Sequence, residues 1–256
     1  MSQLRIQDAR AVAYRALCLG ALLQRAEFEL AVKNIDDWSV FEEVREHILT
    51  KHQSLNERLL KWLKDEQVER HLSEAERQLL QKPLGTWSER TLISVRWRTE
   101  ALGTILWILH RYEEFPNYDK QFKQTDILTP LDIFNSTIDF IWMANLQAAQ
   151  VLQARRDQAE LWNWRSRARE LERMGVRPPE GVTFSEIIRL TAERAHENGH
   201  IPTPIQGDFP TLNKAYADLT DDEYALMSGI AYERYSALNW VCEITNEWES
   251  IRIDRK

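Results

Sequence analysis

The segment SVRWRTEALGTILWILHR, residues 94–111, constrains the fold more than any other stretch. It is the most apolar long run in the chain, and its apolar positions have the period of a helix. Trp97, Ala101, Ile105 and Ile108 recur at spacings of three and four, and Leu102, Leu106 and Leu109 widen that stripe. Three charges sit in its first turns. Arg96 and Glu100 are four apart and can meet on one face, although Arg before Glu is the weaker order for such a pair; Arg98 lies between them. A second segment of similar make-up, YERYSALNWVCEI at 232–244, lies near the other end. The pattern predicts two central helices that pack together in an all-helical domain.

With only eight glycines and eight prolines in 256 residues, little interrupts helix formation elsewhere. Residues 6–32 read as one helix with a broad, alanine-rich face. Gly20 costs roughly 1 kcal/mol relative to alanine and suits a tight crossing. Asn34–Asp37 reads as a break. The region 38–80 is helical but irregular, with Val40, Phe41, Val44 and Ile48 as one stripe and Leu55, Leu59, Leu60, Trp62 and Leu63 as another. Ser73 with Glu76 is a capping-box signature. Ser88 is the predicted cap of the central helix, which ends near Tyr112 before Pro116.

After a turn-rich connection, Thr129-Pro130 starts a helix in the favoured order, a hydroxyl cap followed by proline. From Leu131 to about Met174 the pattern reads as nearly continuous helix, with a break at Ser136 or Thr137. Ile138, Ile141, Trp142, Leu146, Ala149 and Leu152 supply its apolar side. The basic cluster Arg165, Arg167 and Arg169 is interrupted by acidic residues and reads as a solvated helix face. Gly175 and Pro178-Pro179 end the helix. Thr183 with Glu186 and Thr220 with Glu223 are further capping boxes, and between those helices lies a loop-rich segment, 200–219. Trp248, Ile251 and Ile253 predict a short strand or an extended tail. The fold class is therefore all-α, an irregular multi-helix bundle of about eight helices in one domain over 1–256.

Several function classes are excluded. A net charge of −7 leaves no basic excess for a general nucleic-acid binder. No run approaches eighteen apolar residues, and the N-terminus has no apolar core followed by a cleavage signal, so the expectation is a cytoplasmic protein that does not enter membranes. Cys18 and Cys242 read as buried free thiols. His47, His52 and His71 lack metal-ligand spacing, and Gly199 spoils that of His196 and His200. No nucleophile–base arrangement, glycine-rich phosphate loop or HExxH helix is present. The expectation is accordingly no metal, no cofactor, no catalytic residue, and a leaning away from enzymes.

Three segments resemble the DUF4272 domain, an uncharacterised bacterial family: WRTEAL with the following ILWIL at 97–109, GDFPTLNKAYADLTDDE at 207–223, and ERYSALNW at 233–240 with a tail beginning at Trp248. The likeness is strongest from about residue 88 to the C-terminus. The family's corresponding segments are similar to WRxEAL and ERHxALNW. Tyr235 stands where a histidine is common, which weakens any role for that ring as a base or metal ligand. The resemblance implies a cytoplasmic, mainly helical domain and no established activity.

The candidate polar cluster is Arg96, Arg98, Glu100, Glu233, Arg234 and Asn239, joined by Asp208 and Lys214 from the loop. Charges in apolar helices are costly unless paired. Packing of the two central helices predicts pairs between Glu100 and Arg234, and between Glu233 and Arg96 or Arg98. Two readings follow. In one, the network is architectural, and the chain is a binding or protein-interaction domain with a protein partner or a second copy of itself. Its surplus tryptophans, Trp38, Trp62, Trp87, Trp162, Trp164 and Trp248, then help to form the interface. In the other, the same residues line a cleft closed by the 201–219 loop that holds a small anionic ligand, as a binding protein or an enzyme.

Overall fold

The computed structural model describes residues 5–37, 42–178, 180–242 and Trp248. Among them run nine α-helices: α1 Ala9–Asp37, α2 Glu42–Asp65, α3 Glu74–Gln81, α4 Glu89–Ile108, α5 Gln124–Leu128, α6 Ile138–Trp142, α7 Ala149–Arg173, α8 Phe184–Glu197 and α9 Asp221–Val241. A two-stranded antiparallel ribbon, β1 Pro210–Thr211 and β2 Lys214–Ala215, interrupts the loop before α9. The chain is an all-α multi-helix fold.

Local chemistry starts the helices where the sequence predicts. Ser73 and Glu76 close a capping box on α3, as do Thr220 and Glu223 on α9. Ser88 accepts from the Thr91 amide on α4, and Thr183 from the Glu186 amide on α8. The two apolar segments become α4 and α9. Helix α4 packs between α1 and α9, and α9 packs in turn on α7. From Arg98 to Ile108 every residue of α4 is buried, so this half of the helix is enclosed on all sides, whereas Glu89, Arg90, Ile93 and Arg96 in its first turns are exposed.

The helix boundaries differ from expectation in three places. The segment Asn34–Asp37 does not break α1, which continues through Asp37. Helix α4 stops at Ile108, short of Tyr112. Residues 131–148 are not helix apart from the short α6. Thr129-Pro130 opens only one 3₁₀ turn, ended by Asp132 in the left-handed region at φ 44°. The connection is held by tertiary contacts instead: the Trp62 indole donates to the Asn135 carbonyl at 2.7 Å, and the Glu66 carboxylate accepts from the Thr137 amide and hydroxyl at 2.8 and 2.9 Å. Leu131 at the turn packs onto Gly20 of α1, where an added Cβ would overlap its side chain. That is the close approach Gly20 permits.

Most tryptophans are inside. Trp62, Trp87, Trp107, Trp162, Trp240 and Trp248 are buried, and Trp248 meets Trp240 edge-on. Trp142 is 65% exposed. Trp38, Val40, Phe41, Ile251 and Ile253 lie outside the described residues. Among the described residues no helix is long and apolar enough to cross a membrane, and no three His, Cys, Asp or Glu side chains group as metal ligands do.

Candidate functional site

Charged side chains in the enclosed parts of helices must find partners inside. Glu100 and Arg234 are both fully buried, and the Arg234 Nε donates to Glu100 Oε2 at 2.8 Å. Arg98 reaches Glu233 at 3.1 Å, also buried. Arg96, one turn before Glu100, points outward and is exposed, so the two do not form the i,i+4 pair that their spacing allows. Asn239 is buried on α9.

The Glu100–Arg234 pair also holds a loop. Arg234 Nη1 donates to the carbonyls of Pro116 and Asn117 at 2.7 and 3.2 Å, and Nη2 to that of Lys120 at 2.7 Å. Glu100 Oε1 accepts from the Phe122 amide at 3.0 Å. The rings of Phe115, Tyr118 and Phe122 surround the guanidinium at about 5 Å. Phe122 also lies against Gly103 of α4, where a Cβ would overlap its ring. Burial raises the Glu100 carboxyl above its usual range, and Arg234 together with the Phe122 amide opposes that rise. The ion pair thus fixes residues 116–122 to α4 and α9. A loop held so tightly by a rigid scaffold is the kind of element that carries binding groups.

The model of the family described as "Domain of unknown function (DUF4272)" matches residues 1–185 of the 256. The chain belongs to the DUF4272 family. No curated protein and no solved structure matches it. The DUF4272 match takes in WRTEAL at 97–102 and the pinned loop, whereas the 207–223 and 233–240 segments lie beyond it.

In this DUF4272 chain the other two predicted cluster members have partners of their own. Asp208 forms a two-pronged pair with Arg165 of α7, Nε to Oδ1 at 2.6 Å and Nη2 to Oδ2 at 2.7 Å. Its oxygens also accept from the Phe209 and Ala217 amides. Lys214 binds the Glu223 carboxylate at 2.9 and 3.0 Å. Asp208 therefore ties the 201–219 loop to α7, and the expectation of a solvated basic face on α7 fails for Arg165 and Arg169. Arg165 is fully buried, and Arg169 donates to the carbonyls of Tyr216 and Leu219; only Arg167 is exposed. The helical spacing held a signal for this. Trp162, Arg165, Ser166 and Arg169, at steps of three, one and three, form one buried face of α7. Ser166 bonds the Tyr216 hydroxyl at 2.6 Å, and burial pushes that phenol up to about 12.

Two more buried pairs escaped the sequence reading. Arg25 and Glu29, both fully buried on α1, meet at 2.6 Å; Arg25 also donates to the carbonyls of Leu80 and Lys82, and Glu29 accepts the Trp87 amide. Arg15 reaches Glu76 of α3 at 2.6 Å. Arginine–carboxylate pairs thus serve this fold as internal ties, each joining a helix to a neighbouring helix or to loop backbone.

Proposed function

We propose that this DUF4272 protein is a non-enzymatic, cytoplasmic binding domain that recognises a protein partner through the surface around α6. One observation carries the reading: five of the charges expected to line a cleft, Arg98, Glu100, Asp208, Glu233 and Arg234, are spent inside, while large apolar groups stand outside. Ile138, Trp142 and Met143 are 61%, 65% and 69% exposed on a single short helix and its C-cap. Arg10 lies over the Trp142 ring at 3.8 Å, which places an arginine and a tryptophan side by side. Those are the residue types that dominate protein–protein contacts, and clustered exposed apolar side chains are costly without such a use. The test is a photocrosslinking amino acid at position 142, compared in cells with one at Leu190, another exposed apolar position. Position 142 should give a discrete crosslinked species absent from 190. Equal patterns at both positions, or none at 142, would refute the reading.

A small-anion reading has one observation in its favour, at a groove that the 201–219 loop does not line and to which Arg96 alone of the expected cluster contributes. A groove of about 320 Å³ runs along α4 beside the pinned loop, lined by Arg96, Trp97, Thr99, Gln121 and Phe122 among others, with no carboxylate in its lining. If it serves that purpose, inorganic phosphate or a dicarboxylate should raise the wild-type melting midpoint and leave Arg96→Ala unmoved.

A further inference from the structure

Ile93, Arg96, Trp97 and Thr99 share one face of α4, linked by steps of three and four, and form one wall of the groove beside the pinned loop. Gln121, Phe122 and Gln124 form the other. Both walls are held by close packing. The Trp97 ring lies against Gly229 of α9 and the Phe122 ring against Gly103 of α4, each where a Cβ would overlap it. Glu100 holds the Phe122 amide, and Gln124 Nε2 donates to Glu27 at 2.9 Å.

The polar groups of this groove have unused capacity. The side chains of Arg96, Thr99 and Gln121 make no hydrogen bond or ion pair with the described residues. Arg96 and Gln121 are exposed, and the Thr99 hydroxyl, though its residue is mostly covered, keeps accessible surface. Arg96 is the only charged residue in the lining. A phosphate dianion would therefore meet one cation, whereas a carboxylate carries a single charge and fits the two-pronged guanidinium. The wall beside Arg96 is apolar. Ile93 is 53% exposed and Trp97 half-buried, and a small hydrophilic anion would leave that area in water. A neutral apolar ligand would cover it but make no use of the Arg96 charge.

We propose that this groove binds a monocarboxylate with an apolar body. Arg96 and the Thr99 hydroxyl hold the carboxylate, the Gln121 amide donates to it from the opposite wall, and the body lies on Ile93 and Trp97. The inference rests on the small-anion reading of the groove and narrows it; it is independent of the α6 surface.

Amide-resolved NMR titration of the full chain with phenylacetate, hexanoate, acetate, phenylacetamide, inorganic phosphate and succinate, each to about 10 mM, tests it. Phenylacetate or hexanoate should shift the amides of 93–99 and 121–124. Acetate, which lacks the apolar body, and phenylacetamide, which lacks the charge, should bind at least about tenfold more weakly. Arg96→Gln and Ile93→Ser change exposed side chains, so neither threatens the fold. The first should weaken phenylacetate or hexanoate binding about tenfold and the second about fivefold. Phosphate or succinate binding here without phenylacetate or hexanoate would overturn the apolar-carboxylate assignment and leave the small-anion reading standing; no shift with any of these anions would end both. Phenylacetamide binding as tightly as phenylacetate, or equal carboxylate affinity in wild type and Arg96→Gln, would also overturn the assignment.

Discussion

Arg234 and Glu100 lie 134 residues apart in sequence and meet at 2.8 Å with neither side chain exposed. Between them they hold three carbonyls and one amide of the 116–122 segment. Helix α9 is thereby joined to α4 and to a loop through a single guanidinium.

Arg234→Met should therefore do two kinds of damage. It leaves Glu100 as an unpaired buried carboxylate and removes the donors from the loop carbonyls, for an expected loss of about 3–5 kcal/mol in urea unfolding. Glu100→Gln keeps an acceptor for the Phe122 amide and should cost less, roughly 1–3 kcal/mol. The Glu100→Gln, Arg234→Met double variant should recover part of the single-mutant loss but not all, since the carbonyls of Pro116, Asn117 and Lys120 still lack donors. Strict additivity in that cycle would mean that the pair is not coupled.

That contact was readable in advance because its members sit in the apolar stretches of their helices, where a charge has nowhere to go but a partner. The capping boxes at Ser73 and Thr220 were readable because they depend on four consecutive residues. Arg165 and Asp208 were harder. Helix α7 is rich in charge, and a charge-rich helix does not announce which arginine turns inward. The buried face appears only when Trp162 and Ser166 are read on the same stripe. The 131–148 segment misled in the opposite way. Ile138, Ile141 and Trp142 have helical spacing, yet Ile138 and Trp142 face outward and only Ile141 is buried. What decides that stretch is Glu66 and Trp62, more than sixty residues away, and no local pattern encodes their reach.

Asp208 offers a second, more local test. Its two oxygens accept from both prongs of Arg165 and from the Phe209 and Ala217 amides, so every contact in the structure requires an acceptor. In Asp208→Asn an NH₂ group must face one of these donors, and the charge balance of Arg165 is lost. The expected penalty is about 3–5 kcal/mol, concentrated in the 201–219 loop. Arg165→Lys should resemble it, because an ammonium cannot reproduce the two-pronged geometry. Amide hydrogen exchange is the appropriate readout. Protection should fall first across 205–219 while α1 and α4 keep theirs; uniform loss along the chain would mean that the tie is global rather than a loop clamp.

The two thiols give a pH dependence of known sign. Cys18 and Cys242 are buried, and burial pushes them up from an ordinary 9.0 to about 12 and about 11, respectively, with Arg15 partly opposing the rise at Cys18 and Arg156 at Cys242. A raised thiol value means that the folded chain keeps its proton after the unfolded chain has lost it. Both groups are protonated in either state well below pH 9, so they contribute nothing to pH dependence there. As the pH rises from 9 toward 11 and 12, the unfolded state sheds protons that the native state retains, and stability falls. Cys242→Ala should flatten the part of that decline between 9 and 11, seen as a smaller drop in urea midpoint than in wild type. At pH 8 a thiol-reactive disulfide reagent should modify neither cysteine in the native protein and both in urea. Rapid native labelling of Cys18 would place that thiol in contact with solvent and contradict its position on α1, where Sγ faces the Val68 carbonyl at 3.8 Å.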